Sequence, residues 1–194
     1  EEYKNGKFKI PIHLGFGHES ISVAVSNIMK KNDELILSHR NASYNLARIK
    51  KLKPIIDEYL LKSSGLMNSK TGSMNLINPK LGIIYSSSIL GNNLAVGSGF
   101  ALGNKINNPQ GVVFISTGDG AIEEGVFYES LNYAKILSLP VLFICENNLF
   151  SCFTNIKERQ PDNLIKNISK SFGIRTHFLN GNNAVDIFNK TKKI

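Results

Sequence analysis

The sequence predicts an α/β fold: a parallel sheet flanked by helices. Three observations carry this reading. Val112-Val113-Phe114-Ile115 and Pro140-Val141-Leu142-Phe143-Ile144-Cys145 are short, wholly apolar runs, the mark of parallel strands covered on both faces. A helix-length segment from about Glu123 to Leu137 lies between them, and alternation of strand and helix is the pattern of a parallel sheet. Each run is followed by a polar turn, Gly118-Asp119-Gly120-Ala121 after the first and Glu146-Asn147-Asn148 after the second. In open parallel sheets, ligands bind outside the carboxyl ends of the strands.

The other elements follow along the chain. Residues 17–30 place Ile21, Val25 and Ile28 at helical spacing. Residues 53–62 open with Pro54 in a first turn and carry Ile55, Ile56, Tyr59 and Leu60 toward one face. The stretch 63–88, rich in Gly, Ser, Asn and Lys, reads as a long loop, and loops of that length are more often functional than idle. Residues 92–104 (NNLAVGSGFALGN) form a helix of small residues suited to close packing. A further helix is expected over 162–171, a third strand over Thr176-His177-Phe178-Leu179, and a helix opening at Asn183.

Composition narrows the function classes. A chain of 194 residues, 42% hydrophobic and 20% charged, supports one sizeable core, so a single domain over 1–194 is expected. It begins at Glu1 rather than Met and stops soon after a helix opens, so truncation is expected at the C-terminal end and at the N-terminal end. No apolar run approaches the roughly 18–20 residues that span a bilayer. Two cysteines, Cys145 and Cys152, read as reduced thiols of a cytoplasmic protein. The net charge is +8, but 19 of the 23 basic residues are scattered lysines. Nucleic-acid binding calls for clustered arginines with interleaved aromatics and is not expected. The stretch 111–150 is locally acidic, with Asp119, Glu123, Glu124, Glu129 and Glu146 against Lys135 alone, which suits a metal better than a polyanion.

The two polar turns carry the chemistry. Adjacent parallel strands set Asp119 and Asn148 at one edge of the sheet. A carboxylate, an amide oxygen and a backbone carbonyl make half of an octahedral magnesium shell, which phosphate and water complete. Gly120 and Ala121 offer backbone N–H groups where the next helix begins, a position suited to phosphate. Alone, Gly-Asp-Gly reads more readily as a turn and cap than as a ligand site.

The spacing changes that. Gly118-Asp119-Gly120, 26 intervening residues and Asn147-Asn148, with a strand on each side, resembles the thiamine diphosphate fingerprint. The surrounding GDGAIEEGVFYESLNYAKILSLPVLFICENNLF resembles the alpha subunit of the first component of 2-oxo acid dehydrogenases of the pyruvate, branched-chain and acetoin type. The resemblance runs from about residue 11 to 188. HLGFGHES (13–20) is similar to a segment whose histidine, here His13, lies in the active site. SHRN (38–41) matches the stretch whose arginine, here Arg40 with His39 beside it, grips the diphosphate. KTGSMNL (70–76) is similar to the Gly-Ser-Met-His loop, and SSSILGNNLAVGSG (86–99) resembles the segment whose backbone near Ser88 and Leu90 meets the aminopyrimidine.

By the same resemblance, Asp119, Asn148 and the carbonyl of Phe150 hold Mg2+, and Gly118, Gly120 and Ala121 line the diphosphate. The implied activity is oxidative decarboxylation of a 2-oxo acid, or cleavage of acetoin, with transfer of the acyl or aldehyde unit to a lipoyl group. The implied assembly is alpha2-beta2, the beta subunit completing the pyrimidine half of the site, with a lipoyl-bearing acyltransferase as further partner. Transketolase-like or lyase-type chemistry on the same cofactor is the alternative, and a non-catalytic scaffold subunit the reading from another class. There are departures. Ala42 stands where many relatives have histidine, Asn75 replaces the histidine of Gly-Ser-Met-His, Arg48-Ile49-Lys50 lacks a usual glycine, and Phe150 replaces a frequent tyrosine.

Overall fold

A computed structural model describes residues 3–194. In chain order the elements begin with α1 (Glu19–Ile28), β1 (Glu34–Ser38), α2 (Ala42–Ile49), α3 (Lys53–Tyr59) and β2 (Ile83–Ser87). They continue with α4 (Asn92–Asn107), β3 (Val113–Gly118), α5 (Gly125–Ile136), β4 (Val141–Glu146), β5 (Phe150–Ser151) and β6 (Thr154–Asn155). The last are α6 (Ile156–Arg159), α7 (Leu164–Ser171) and α8 (Ala184–Thr191). The strand order is β2-β1-β3-β4, and β3 pairs in parallel with both β1 and β4. This is the α/β architecture the apolar runs predict.

Contacts divide the chain into two compact units. One holds Asn32–Ile36 and Ile89–Leu179. Its core is β3, where Val113, Phe114 and Ile115 are buried together with Leu94, Ala101, Ile122, Phe127 and Leu131. The small residues of α4 do what the sequence suggests. A Cβ at Gly97 would lie 2.4 Å from Ile115 Cδ1, so only glycine lets the helix approach the strand this closely. Asn93 of α4 donates from Nδ2 to the Ser116 carbonyl at 2.6 Å, fixing the helix against the end of β3. On α5, Phe127 meets Phe143 of β4 edge to face, 6.5 Å between centroids.

The other unit holds Leu37–Ser88, Asn180–Ile194 and the described residues up to Lys31. Here α1 packs on α2 and α8, and Ile55, Tyr59 and Leu76 form a core against Phe8, Ile10, Ile12, Ala42, Ile49, Leu66 and Met67. Arg48 ties the helices down, donating from Nε to the Leu81 carbonyl (2.9 Å) and from Nη1 to that of Ser26 (3.0 Å). The glycine missing after Arg48 is not needed to end α2, because Lys50 takes the left-handed conformation itself (φ 55°).

Three expectations are corrected. Thr176–Leu179 is not a strand: it joins no ladder among the described residues, and Phe178 is 65% exposed. Two polar residues followed by two apolar ones carry no strand alternation, so nothing in the segment specifies a ladder. The long loop 63–88 contains β2 and a short 3₁₀ turn, Pro79–Leu81. Residues Val141–Cys145 are half-buried rather than buried, because β4 stands at the edge of the sheet with one neighbour among the described residues.

Candidate functional site

β3 pairs with β4 up to Gly118 opposite Glu146. Asp119 is therefore one residue, and Asn148 two residues, past the last rung of adjacent strands at the same sheet edge. Strands lie roughly 4.8 Å apart, so this register brings the two predicted ligand loops together. Glu146 is held inward, accepting from Ser116 Oγ at 2.7 Å with both residues buried.

The turn after β3 is held by charge. Asp119 is 2% exposed, and its Oδ2 lies 2.5 Å from Arg159 Nη2. Arg159 Nη1 pairs with Glu123 Oε1, and Nε donates to the Thr154 carbonyl at 3.2 Å. Gln160 Nε2 donates to the Asp119 carbonyl (2.9 Å) and to Glu123 Oε1 (2.7 Å). Arg159 and Gln160, at the end of α6, thus clamp the turn. Gly120 leads into a 3₁₀ turn, Ala121–Glu123. A Cβ there would sit 2.4 Å from Ser151 Oγ, so β5 lies directly against the turn. A Cβ at Gly118 would meet no atom within 4 Å, which leaves open space beside the strand end where a phosphate can approach the backbone.

The loop after β4 is a pair of side-chain-to-backbone turns. Asn147 Oδ1 accepts from the Leu149 N–H (3.1 Å) and Asn148 Oδ1 from the Phe150 N–H (3.0 Å), with Leu149 left-handed at φ 68°. An amide oxygen has a second lone pair for a cation. Among the described residues no group of three or more His, Cys, Asp or Glu could hold a metal. The Asp119, Asn148 and carbonyl set is of another kind: oxygen donors with a single carboxylate, chemistry that fits Mg2+ bridged to phosphate. The buried Asp119 carboxylate, whose Oδ2 is already taken by Arg159, and the open ground at Gly118 leave room for such a group at the second carboxylate oxygen. Burial pushes the Cys145 thiol up to about 12, with Asp119 and Glu146 adding to it, so this neighbour stays protonated.

In the other unit, His13 and His39 meet edge to face at 5.3 Å between centroids. Both Nδ1 atoms are buried without a hydrogen-bond partner among the described residues. Burial lowers His39 to about 4, aided by Arg40 and then His13. Gly15 packs on Arg40, where a Cβ would lie 3.7 Å from the arginine Cβ, and Arg40 itself is exposed. The backbone N–H of Ser88 donates to Asn75 Oδ1 at 3.1 Å. Leu90, in the unit of β3, is 46% exposed. Both histidine replacements have local work: Ala42 packs on the Ile55, Tyr59 and Leu76 core, and Asn75 caps Ser88.

Sequence reasoning missed Arg159, Gln160 and the part Glu123 plays. The available signal was that Arg159 is one of only four arginines in a lysine-dominated chain. It also missed Glu58, which is fully buried and accepts from the N–H groups of Met67 (2.8 Å), Ser69 (3.0 Å) and Thr71 (2.9 Å) and from Thr71 Oγ1 (3.0 Å). That carboxylate organises the loop leading to Ser73 and Asn75.

A parallel α/β chain with a Gly-Asp-Gly turn and an Asn-Asn loop at one sheet edge shares its fold with transketolase. The crystal structure of transketolase from Campylobacter jejuni matches with a TM-score of 0.70 at 15% identity, over 91% of this chain and 35% of that one. The model of the family described as "Dehydrogenase E1 component" matches residues 2–193, and the chain belongs to that family. It is 31% identical to the pyruvate dehydrogenase E1 component subunit alpha of Rickettsia prowazekii over 192 residues, 99% of this chain and 59% of that protein. The Rickettsia typhi protein of the same name is 31% identical over 94% of this chain and 56% of its own length. The mitochondrial Saccharomyces cerevisiae one is 34% identical over 78% of this chain and 36% of its own length. The chain thus spans a little over half the length of its bacterial relatives.

Proposed function

We propose that this chain is the diphosphate-binding part of the alpha subunit of a thiamine diphosphate- and Mg2+-dependent 2-oxo acid dehydrogenase of the pyruvate dehydrogenase type. The observation that carries the reading is a buried, ion-paired Asp119 one step beyond β3, beside Asn148 beyond β4, in a chain of the E1 component family. Asp119, Asn148 and the Phe150 carbonyl would hold Mg2+, and Gly118, Gly120 and Ala121 would receive the diphosphate. Arg40, with His39 beside it, would grip the diphosphate through a planar donor. Backbone groups near Ser88 and Leu90 would face the aminopyrimidine, and His13 would hold or move a proton near the substrate.

Bound thiamine diphosphate would supply the electron sink for decarboxylation; the protein positions it and excludes competing reactions. A beta subunit in an alpha2-beta2 assembly would complete the site, and a lipoyl-bearing acyltransferase would accept the product. The two free cysteines accord with a reducing, cytoplasmic setting. No described helix is long and apolar enough to cross a membrane.

The test is turnover. The full-length chain, co-expressed with its beta partner, is offered a panel of 2-oxo acids and acetoin with an artificial electron acceptor. Reduction that requires both thiamine diphosphate and Mg2+ is the expected result. Tight cofactor binding with no oxidation of any panel member would reject the dehydrogenase assignment in favour of a transferase or lyase.

A further inference from the structure

Arg159 is placed to compete for the residue that the preceding reading makes the metal ligand. Its side chain is 11% exposed and is held by three acceptors: Asp119 Oδ2, Glu123 Oε1 and the Thr154 carbonyl. Two of them are independent of Asp119, so the guanidinium stays at the turn whatever Asp119 does. Gln160 fastens the same two acidic residues from the next position. A guanidinium is charged at every working pH and cannot yield its place by deprotonating. A divalent ion on Asp119 therefore shares a buried carboxylate, 2% exposed, with a fixed cation, and like charges beside a buried group repel more than in water, although Glu123 on the rim of the turn faces solvent.

Charge counting gives the consequence. Asp119, Glu123 and Arg159 sum to −1. A divalent ion alone turns the cluster to +1, whereas a divalent ion with a diphosphate would leave it anionic. We propose that Arg159 is a tethered counter-cation that makes metal binding at Asp119 weak alone and strong with diphosphate, coupling the two ligands. The inference rests on Asp119 being a metal ligand. Coupling of this kind is reciprocal, so the metal promotes diphosphate binding by the same factor.

The experiment uses the full-length chain in the assembly in which it purifies, with Mn2+ as the probe and free Mn2+ followed by electron paramagnetic resonance. Titrations run with and without inorganic diphosphate. For Arg159→Met the expected result is Mn2+ binding at least tenfold tighter without diphosphate, and a smaller gain on adding it. Unchanged or weaker Mn2+ binding in that variant would overturn the proposal and leave Arg159 a purely structural clamp. Glu123→Gln, which takes a negative charge from the cluster and leaves Arg159 to Asp119 and the Thr154 carbonyl, weakens Mn2+ binding without diphosphate and enlarges the gain on adding it if the proposal holds. It decides the matter if Arg159→Met does not fold; no change there overturns the proposal. Asp119→Asn separates the two readings: if it leaves Mn2+ binding untouched, the metal-ligand assignment itself fails.

Discussion

Two segments that carry predicted site residues, one in each unit, are anchored in opposite ways. The loop through 65–78 is held by side chains from elsewhere gripping its backbone. Glu58 accepts from three of its N–H groups, Asn41 donates to the Met74 carbonyl (2.9 Å), and Asn45 donates to that of Leu76 (3.3 Å). The turn through 118–124 is held chiefly by its own side chains, Asp119 and Glu123, in ion pairs with Arg159, with Gln160 adding one bond to the Asp119 carbonyl. A backbone-anchored loop keeps its shape when its side chains change. A charge-anchored turn does not, because the same carboxylate serves fold and site. Of the departures from the family pattern, Asn75 lies in the first segment and none lies in the second, where Gly118-Asp119-Gly120 keeps the pattern; Ala42, Arg48-Ile49-Lys50 and Phe150 lie outside both.

The most severe way to break the first anchor is Glu58→Gln. Glutamine offers one acceptor oxygen and turns an NH₂ toward backbone donors, and each stranded donor costs about 1–3 kcal/mol. Urea unfolding should show that loss, and the amides of Met67, Ser69 and Thr71 should lose hydrogen-exchange protection. Wild-type stability in this variant would mean that the loop is held by something else. The acid dependence has a definite sign. Burial acts to raise Glu58, but its hydrogen bonds outweigh it and bring the carboxyl below 4.5. The stabilisation is complete above that value and is lost as pH falls through the folded one.

A smaller effect sharpens the contrast at the histidine pair. His39 titrates near 6.5 when unfolded and about 4 when folded. The unfolded chain therefore takes up more protons between those values, and stability falls as pH drops from 6.5 toward 4. His39→Phe keeps the ring packing on His13 and should flatten the pH dependence of the melting temperature in that window. An unchanged profile would show that His39 is not the titrating group.

Much of this was legible in advance because it depends on local pattern. The apolar runs of β3 and β4, the small residues of α4 and Pro54 in the first turn of α3 each act within a few residues. β1 was not seen because its apolar core is only Leu35, Ile36 and Leu37 between Glu34 and Ser38. α2 escaped because its buried face is Tyr44 and an amide, Asn45, rather than an apolar stripe. The Asp119 and Asn148 loops could be read because β3 and β4 are neighbours with a register set by one crossover. Arg159 could not, since nothing in a four-residue helix such as α6 announces a pairing with Asp119 forty residues earlier. Glu58 hid for the same reason: a glutamate in a helix reads as surface until a loop closes over it.

The proposed function requires Asp119 to be the residue through which a divalent ion holds the diphosphate. Calorimetric titration of thiamine diphosphate into the full-length chain with its beta partner, with and without Mg2+, tests it most directly. Asp119→Asn is the variant, because it keeps the size of the side chain and an acceptor for Arg159; its melting temperature serves as a check on folding. Binding to the wild type only with Mg2+ is expected, and Mg2+-dependent binding to a folded Asp119→Asn weakened about tenfold or more, because the amide keeps an oxygen donor but loses the charge. Equal, Mg2+-dependent affinity in both proteins would contradict that role for Asp119.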